Sequence, residues 1–157
     1  MKIATQIWLA TALLQRERGL DHDIPVGDVV ALARSSSWNG ARAESLAAHV
    51  SSHCIATAKP SPDRYRMLTR TRRGHVRLFR RGDPYHPGRK DGPTHPSREE
   101  VPAELRHIVD WYDSAVARAA THAEDPILEL REFSQRIGIW RGIDPDEYVR
   151  QLRADWD

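Results

Sequence analysis

Residues 64–81 read RYRMLTRTRRGHVRLFRR. Two short runs alternate large apolar and basic residues, and Arg72-Arg73-Gly74 separates them as a turn signal. Arginine stands at 64, 66, 70, 72, 73, 77, 80 and 81, with no acidic residue among them. The alternation predicts two strands, over 65–69 and 75–79. Tyr65, Met67, Val76 and Leu78 would share one face, and Arg64, Arg66, His75 and Arg77 the other. A hairpin so loaded with arginine calls for a polyanionic partner.

Immediately upstream, 41–55 has the spacing of a helix with two distinct faces. Ala43, Leu46, Ala47, Val50 and Cys54 make an apolar stripe. Arg42, Ser45, His49 and Ser52 make a second stripe that is small and polar, suited to close approach to base edges and phosphates. Before it, 3–18 reads as an amphipathic helix (Ile3, Ile7, Ala10, Leu14) that stops near Gly19. Ile24 before Pro25 reads as one small strand, because the residue before proline is pushed towards extended geometry. A second helix is expected over 26–35 and a turn over 35–40. Helix, short strand, helix, turn, helix and arginine hairpin together predict a mainly α fold with a small β-hairpin wing: a winged helix-turn-helix over residues 1–82, followed by C-terminal helices. In that fold Arg42, Ser45, His49 and Ser52 would face a major groove. Arg66, Arg70, Arg72, Arg73 and Arg77 would lie along duplex DNA phosphates, and the Arg72–Gly74 tip could enter a minor groove.

Charge is unevenly spread. The net charge of the 157 residues is only +2, yet 61–90 carries ten Lys/Arg against two Asp, and 121–157 carries five Arg against nine Asp/Glu. A basic middle and an acidic end suggest different partners for the two parts. Cys54 is the only cysteine, which excludes an intrachain disulfide and a multi-cysteine zinc site. On the apolar face of its helix it reads as an inert thiol, consistent with a reducing cytoplasm. The N-terminal MKIATQIWLATALLQ has the outline of a signal peptide but no clean small-x-small cleavage site, and its apolar residues recur at helical spacing. No apolar run approaches the ~20 residues of a membrane span.

After Arg81 the chain changes texture. Residues 83–98 form a Pro/Gly/His-rich loop, and 99–120 a connecting helix with Ser97 as N-cap and Val101, Leu105, Ile108, Val109, Tyr112 and Val116 as its apolar positions. A polar break at 121–125 precedes an acidic amphipathic tail, 121–157, with two short helices, the second opening on Asp144 and Pro145. Its large apolar residues need burial against the domain, a partner or a second copy in a homodimer. Leu130, Phe133, Ile137, Trp140, Tyr148, Leu152 and Trp156, with Arg141, Arg150 and Arg153, are the expected partner contacts.

No phosphate-cradling glycine loop, nucleophile elbow or H-E-x-x-H helix is present. No catalytic residue, cofactor or metal is therefore expected. Two rival readings remain. The arginines could meet RNA or an acidic protein, or His86 and His95, with Asp83 and Asp91 nearby, could serve a metal-dependent nuclease.

Residues 7–80, above all AESLAAHVSSHC followed by the arginine hairpin, resemble the winged-helix domains of bacterial proteins, some of them associated with restriction or defence loci. The resemblance implies that fold and DNA contact. Residues 125–157, in LREF…GIW and the terminal DPDEYVRQLRADWD, resemble the C-terminal tail of type II antitoxins that neutralise PIN-domain ribonuclease toxins. That resemblance implies a tail wrapping the toxin, with Arg141, Arg150 or Arg153 reaching its acidic metal site. Antitoxins of this kind usually carry a ribbon-helix-helix or swapped-hairpin DNA-binding part, which the N-terminal sequence here does not match. The combined expectation is a cytoplasmic DNA-binding regulator, the antitoxin of a toxin–antitoxin pair. The alternative is an accessory protein of a restriction or defence system.

Overall fold

The computed structural model describes residues 1–36, 43–60 and 63–124. The chain divides into two compact units, residues 1–116 and 117–157. Of the second, the backbone of 117–124 is described, and it is helical. The two expected tail helices and all ten expected partner contacts, from Leu130 to Trp156, lie outside the described residues, as does Arg42.

The fold is mixed: four α-helices and a small antiparallel sheet of three strands. In chain order they are α1 (Ile3–Arg18), β1 (Ile24–Pro25), α2 (Val26–Ser35), α3 (Ala43–Ala48), β2 (Leu68–Arg72), β3 (His75–Leu78) and α4 (Arg106–Glu124). The sheet order is β1-β3-β2, so the first strand pairs with the last. Ile24 sits opposite Val76 and Pro25 opposite His75. Leu68 sits opposite Leu78, and Arg70 opposite Val76.

Helix α1 is the spine of the first unit. Four consecutive residues, Ile7, Trp8, Leu9 and Ala10, are fully buried, which covers every side of a helix with 3.6 residues per turn. This corrects the expectation of an amphipathic helix. The reason is that α1 packs on α2, α3 and the sheet, while Tyr112 of α4 meets Trp8 edge-on at 5.4 Å. The polar groups buried with it are bonded, as burial demands. Thr11 donates to the Ile7 carbonyl at 2.9 Å. Gln15 donates to the carbonyls of Leu20 (2.6 Å) and His22 (2.9 Å) and accepts from the Leu78 backbone N–H (2.8 Å), tying α1 to its own exit loop and to β3.

The stripe expected on the third helix holds at Leu46, Val50 and Cys54, all fully buried, whereas Ala47 is exposed. The helix also changes pitch: α3 ends at Ala48 and a wider π turn, His49–His53, completes it. Burial pushes the Cys54 thiol up to about 12.

Strand β2 begins three residues later than the alternation predicts. Residues ahead of it bond elsewhere: Met67 and Leu68 both donate to the Cys54 carbonyl, and Arg66 donates to Pro93. The hairpin turns at Gly74 with φ 73°, the left-handed region that glycine enters without a Cβ penalty. Beyond the hairpin, Ser97 caps a 3-10 turn (Arg98–Glu100) in a reciprocal capping box with Glu100. The connecting helix does not continue from there. Pro102 forces Val101 to extended geometry (φ −107°, ψ 135°), and α4 starts at Arg106. It then runs through Thr121 to Glu124, where a polar break was expected.

Candidate nucleic-acid interface

The hairpin is fixed at three points. At its tip the Gly74 carbonyl accepts from the Val26 backbone N–H at 2.9 Å. At its side Arg70 Nη2 donates to the Ser51 carbonyl, the last turn of the third helix, at 2.7 Å. At its base Asp83 gathers four bonds. Two come from the Arg77 guanidinium (2.6 and 2.7 Å), one from the Thr69 hydroxyl (2.6 Å) and one from the Arg80 backbone N–H (2.9 Å). Burial works to raise the Asp83 carboxyl, but these donors outweigh it and hold its pKa below the ordinary value.

A cleft of about 500 Å³ lies between the end of the third helix and the hairpin, lined by Val26, Ser51, Arg70, Arg73, Gly74, His75 and Val76. Arg70, Arg72 and Arg73 are exposed. Arg72 lies 3.6 Å from Asp23 in the connector after α1. Arg70 and Arg73 thus place two guanidinium groups at the rim of a shallow trough with a valine floor. Opposite them, Ser51 and Ser52 are exposed, and Ser45 and His49 half-buried. His49 stacks on His53 with ring centroids 4.5 Å apart.

Three of the arginines in 64–81 are taken up inside the fold. Arg77 is committed to Asp83, with 19% of its side chain exposed. Arg66 lies 4.7 Å over the Tyr85 ring and 5.5 Å over Phe79, and donates to the Gly92 carbonyl at 3.1 Å. Arg80 pairs with Asp21 at 2.6 Å and also holds the Leu20 carbonyl. Arg66 and Arg77, expected along phosphates, are therefore corrected to staples between the hairpin and the loop behind it. Simple alternation misplaces them because that loop covers the face they occupy.

The loop 83–98 is itself anchored by a residue the sequence does not advertise. Arg89 is fully buried, and its five N–H groups meet five backbone carbonyls. Nε donates to Ala58 (2.8 Å), Nη1 to His53 (2.8 Å) and Tyr65 (2.5 Å), and Nη2 to Lys59 (3.0 Å) and, at 3.4 Å, Ser52. This uses the whole donor set of a guanidinium. Two of those carbonyls end the π turn, where a cation is favoured. Arg89 so locks the end of the third helix to the approach of β2. Nearby, Gly92 is buried, and a Cβ there would sit 1.6 Å from the Arg64 carbonyl oxygen, so only glycine fits.

The histidines of this loop do structural work in separate places. His86 accepts from the Gly88 N–H and caps a short 3-10 turn, Pro87–Arg89. His95 packs between Trp8 and Tyr112, with Nε2 3.5 Å from Asp113. Among the described residues, no cluster of three or more His, Cys, Asp or Glu is placed to hold a metal ion, and no helix is long and apolar enough to cross a membrane. Comparison with protein families, with curated proteins and with solved structures finds no match for this chain.

Proposed function

We propose that residues 1–82 are a winged helix-turn-helix domain that binds duplex DNA, and that the protein is a transcription regulator. The observation that carries this reading is the cleft of about 500 Å³ where Arg70 and Arg73 face the exposed serines of the third helix. The order α1-β1-α2-α3-β2-β3 with sheet order β1-β3-β2 supports it. That connectivity sets a helix and a β-hairpin side by side, the arrangement by which a helix enters a major groove while a wing lies on the adjacent backbone. Arg70, Arg72 and Arg73 supply phosphate contacts, and Ser45, His49, Ser51 and Ser52 face the bases. A competition between duplex DNA and single-stranded RNA for the full chain tests the choice of polymer. Preference for the duplex supports the reading, and equal affinity favours a general polyanion grip.

The acidic, apolar composition of 125–157 supports a second partner, and its likeness to antitoxin tails makes a ribonuclease toxin the proposed one. On this reading the head binds operator DNA and the tail occludes the toxin. Pull-down of the neighbouring gene product by the full chain, lost when 125–157 are deleted, is the expected result. Capture that survives the deletion would remove the tail from the account.

A further inference from the structure

We infer that the exposed side of the His49–His53 turn reads the amino groups of cytosine and adenine in a major groove, and leaves guanine unread. The inference rests on the duplex-DNA reading above and concerns which base edges the site accepts.

It follows from counting protons. A serine hydroxyl has one proton to give. Ser51 gives its proton to the Ala47 carbonyl at 2.7 Å, and Ser52 gives its own to the Ala48 carbonyl at 2.7 Å. Both hydroxyls are exposed, so what they turn outward is lone pairs. His49 obeys the same logic. Its Nδ1 lies 2.8 Å from the Ser45 carbonyl oxygen. A carbonyl has no proton, so Nδ1 must carry it, and the neutral ring keeps a bare acceptor at Nε2. Three polar side chains within one turn therefore present acceptors only.

Such a surface suits few partners. Phosphate oxygens, guanine O6 and N7, adenine N7 and thymine O4 are all acceptors and would face lone pairs. The donors a major groove offers are the N4 amino group of cytosine and the N6 amino group of adenine. Across the cleft the arrangement is reversed, because the guanidinium groups of Arg70 and Arg73 are donors only. The two halves divide the work: arginines take the backbone, and the turn takes amino groups. Their spacing is fixed where they touch, at the bond from Arg70 to the Ser51 carbonyl (2.7 Å). The short side chains reach a base edge only if the helix backbone comes close, which the exposed Ala47 permits.

The test uses the full chain and a duplex recovered from a randomised pool by binding. In that duplex, purine replaces adenine and 4-deaminated cytosine replaces cytosine, one position at a time, deleting single amino groups. A parallel set carries 7-deazaguanine or 7-deazaadenine, which deletes the N7 acceptor. Amino deletion at contacted positions should lower affinity on the order of tenfold, and 7-deaza substitution should leave it unchanged. Ser52→Ala, at an exposed position, should abolish the sensitivity at one amino position while keeping the fold. Loss of affinity with the 7-deaza set and tolerance of amino deletion would overturn the inference. So would a pool that is never enriched although the chain binds random duplex in a salt-dependent way, an outcome that leaves the DNA reading standing. Absence of binding to any duplex would overturn both.

Discussion

Replacing Arg89 with methionine removes the charge and all five N–H groups while keeping most of the stem. Four of its bonds lie between 2.5 and 3.0 Å and the fifth at 3.4 Å. Hydrogen bonds from a charged donor are worth roughly 1.5–3 kcal/mol each, and the buried ion offsets part of that sum through its desolvation. What remains after removal is a set of buried carbonyls with no donor. The net loss should resemble that of breaking a buried charged contact, about 3–5 kcal/mol. With a urea slope of about 2 kcal/mol per molar, the unfolding midpoint should fall by about 2 M. Arg89→Lys should recover only part of this, because a single ammonium has three donors and the five carbonyls come from Ser52, His53, Ala58, Lys59 and Tyr65. Urea unfolding followed by tryptophan fluorescence measures the effect. A midpoint within about 0.5 M of the parent in Arg89→Met would refute the reasoning.

Other consequences are as direct. Gly92→Ala should destabilise by about 2 kcal/mol or more, because its Cβ would fall 1.6 Å from the Arg64 carbonyl oxygen and the backbone must move; thermal unfolding would show it, and an unchanged melting temperature would count against the close approach. Asp83 is a carboxylate whose folded pKa lies below the ordinary 3.8. Its contribution should be complete above that value and be lost as pH falls through the lower, folded one. The stability gap between the parent and Asp83→Asn should therefore be constant near neutrality and close in strong acid; a gap that widens with acid would contradict the sign. Cys54, buried and with its thiol pushed up to about 12, should react with a thiol reagent only as fast as the protein opens. Labelling at the rate of an exposed thiol in the native protein would contradict its burial.

Much of the first unit is legible in the sequence, and the parts that are not have a common cause. Local signals read well: the turn at Gly74, the buried Leu46, Val50 and Cys54, the cap at Ser97 and the extended Ile24 before Pro25. Long-range ones do not. Arg89 finds the His53 carbonyl from 36 residues away, and Gln15 finds Leu78 from 63; neither spacing leaves a pattern. Arg66 and Arg77 occupy the face that alternation gives them, but a loop further along the chain covers it. Ser51 was passed over for a subtler reason. An α-helical register places Ser45, His49 and Ser52 together, whereas the π turn changes the angle per residue and brings Ser51 to the cleft. A change of pitch inside one helix is set by packing and carries no repeat to read.

The central claim is that the cleft between the third helix and the hairpin grips a DNA backbone through Arg70 and Arg73. It is tested most directly by the affinity of the full chain for duplex DNA across a salt series, repeated with Arg70→Ala, Arg73→Ala and, as the comparison, Arg66→Ala. Affinity should fall linearly on logarithmic axes, with a slope near −0.9 per phosphate contacted. The first two substitutions should each reduce that slope by about one, while Arg66→Ala, whose guanidinium lies over Tyr85, should leave it as it is. A slope that ignores Arg70 and Arg73, or one that only Arg66 changes, would contradict the account.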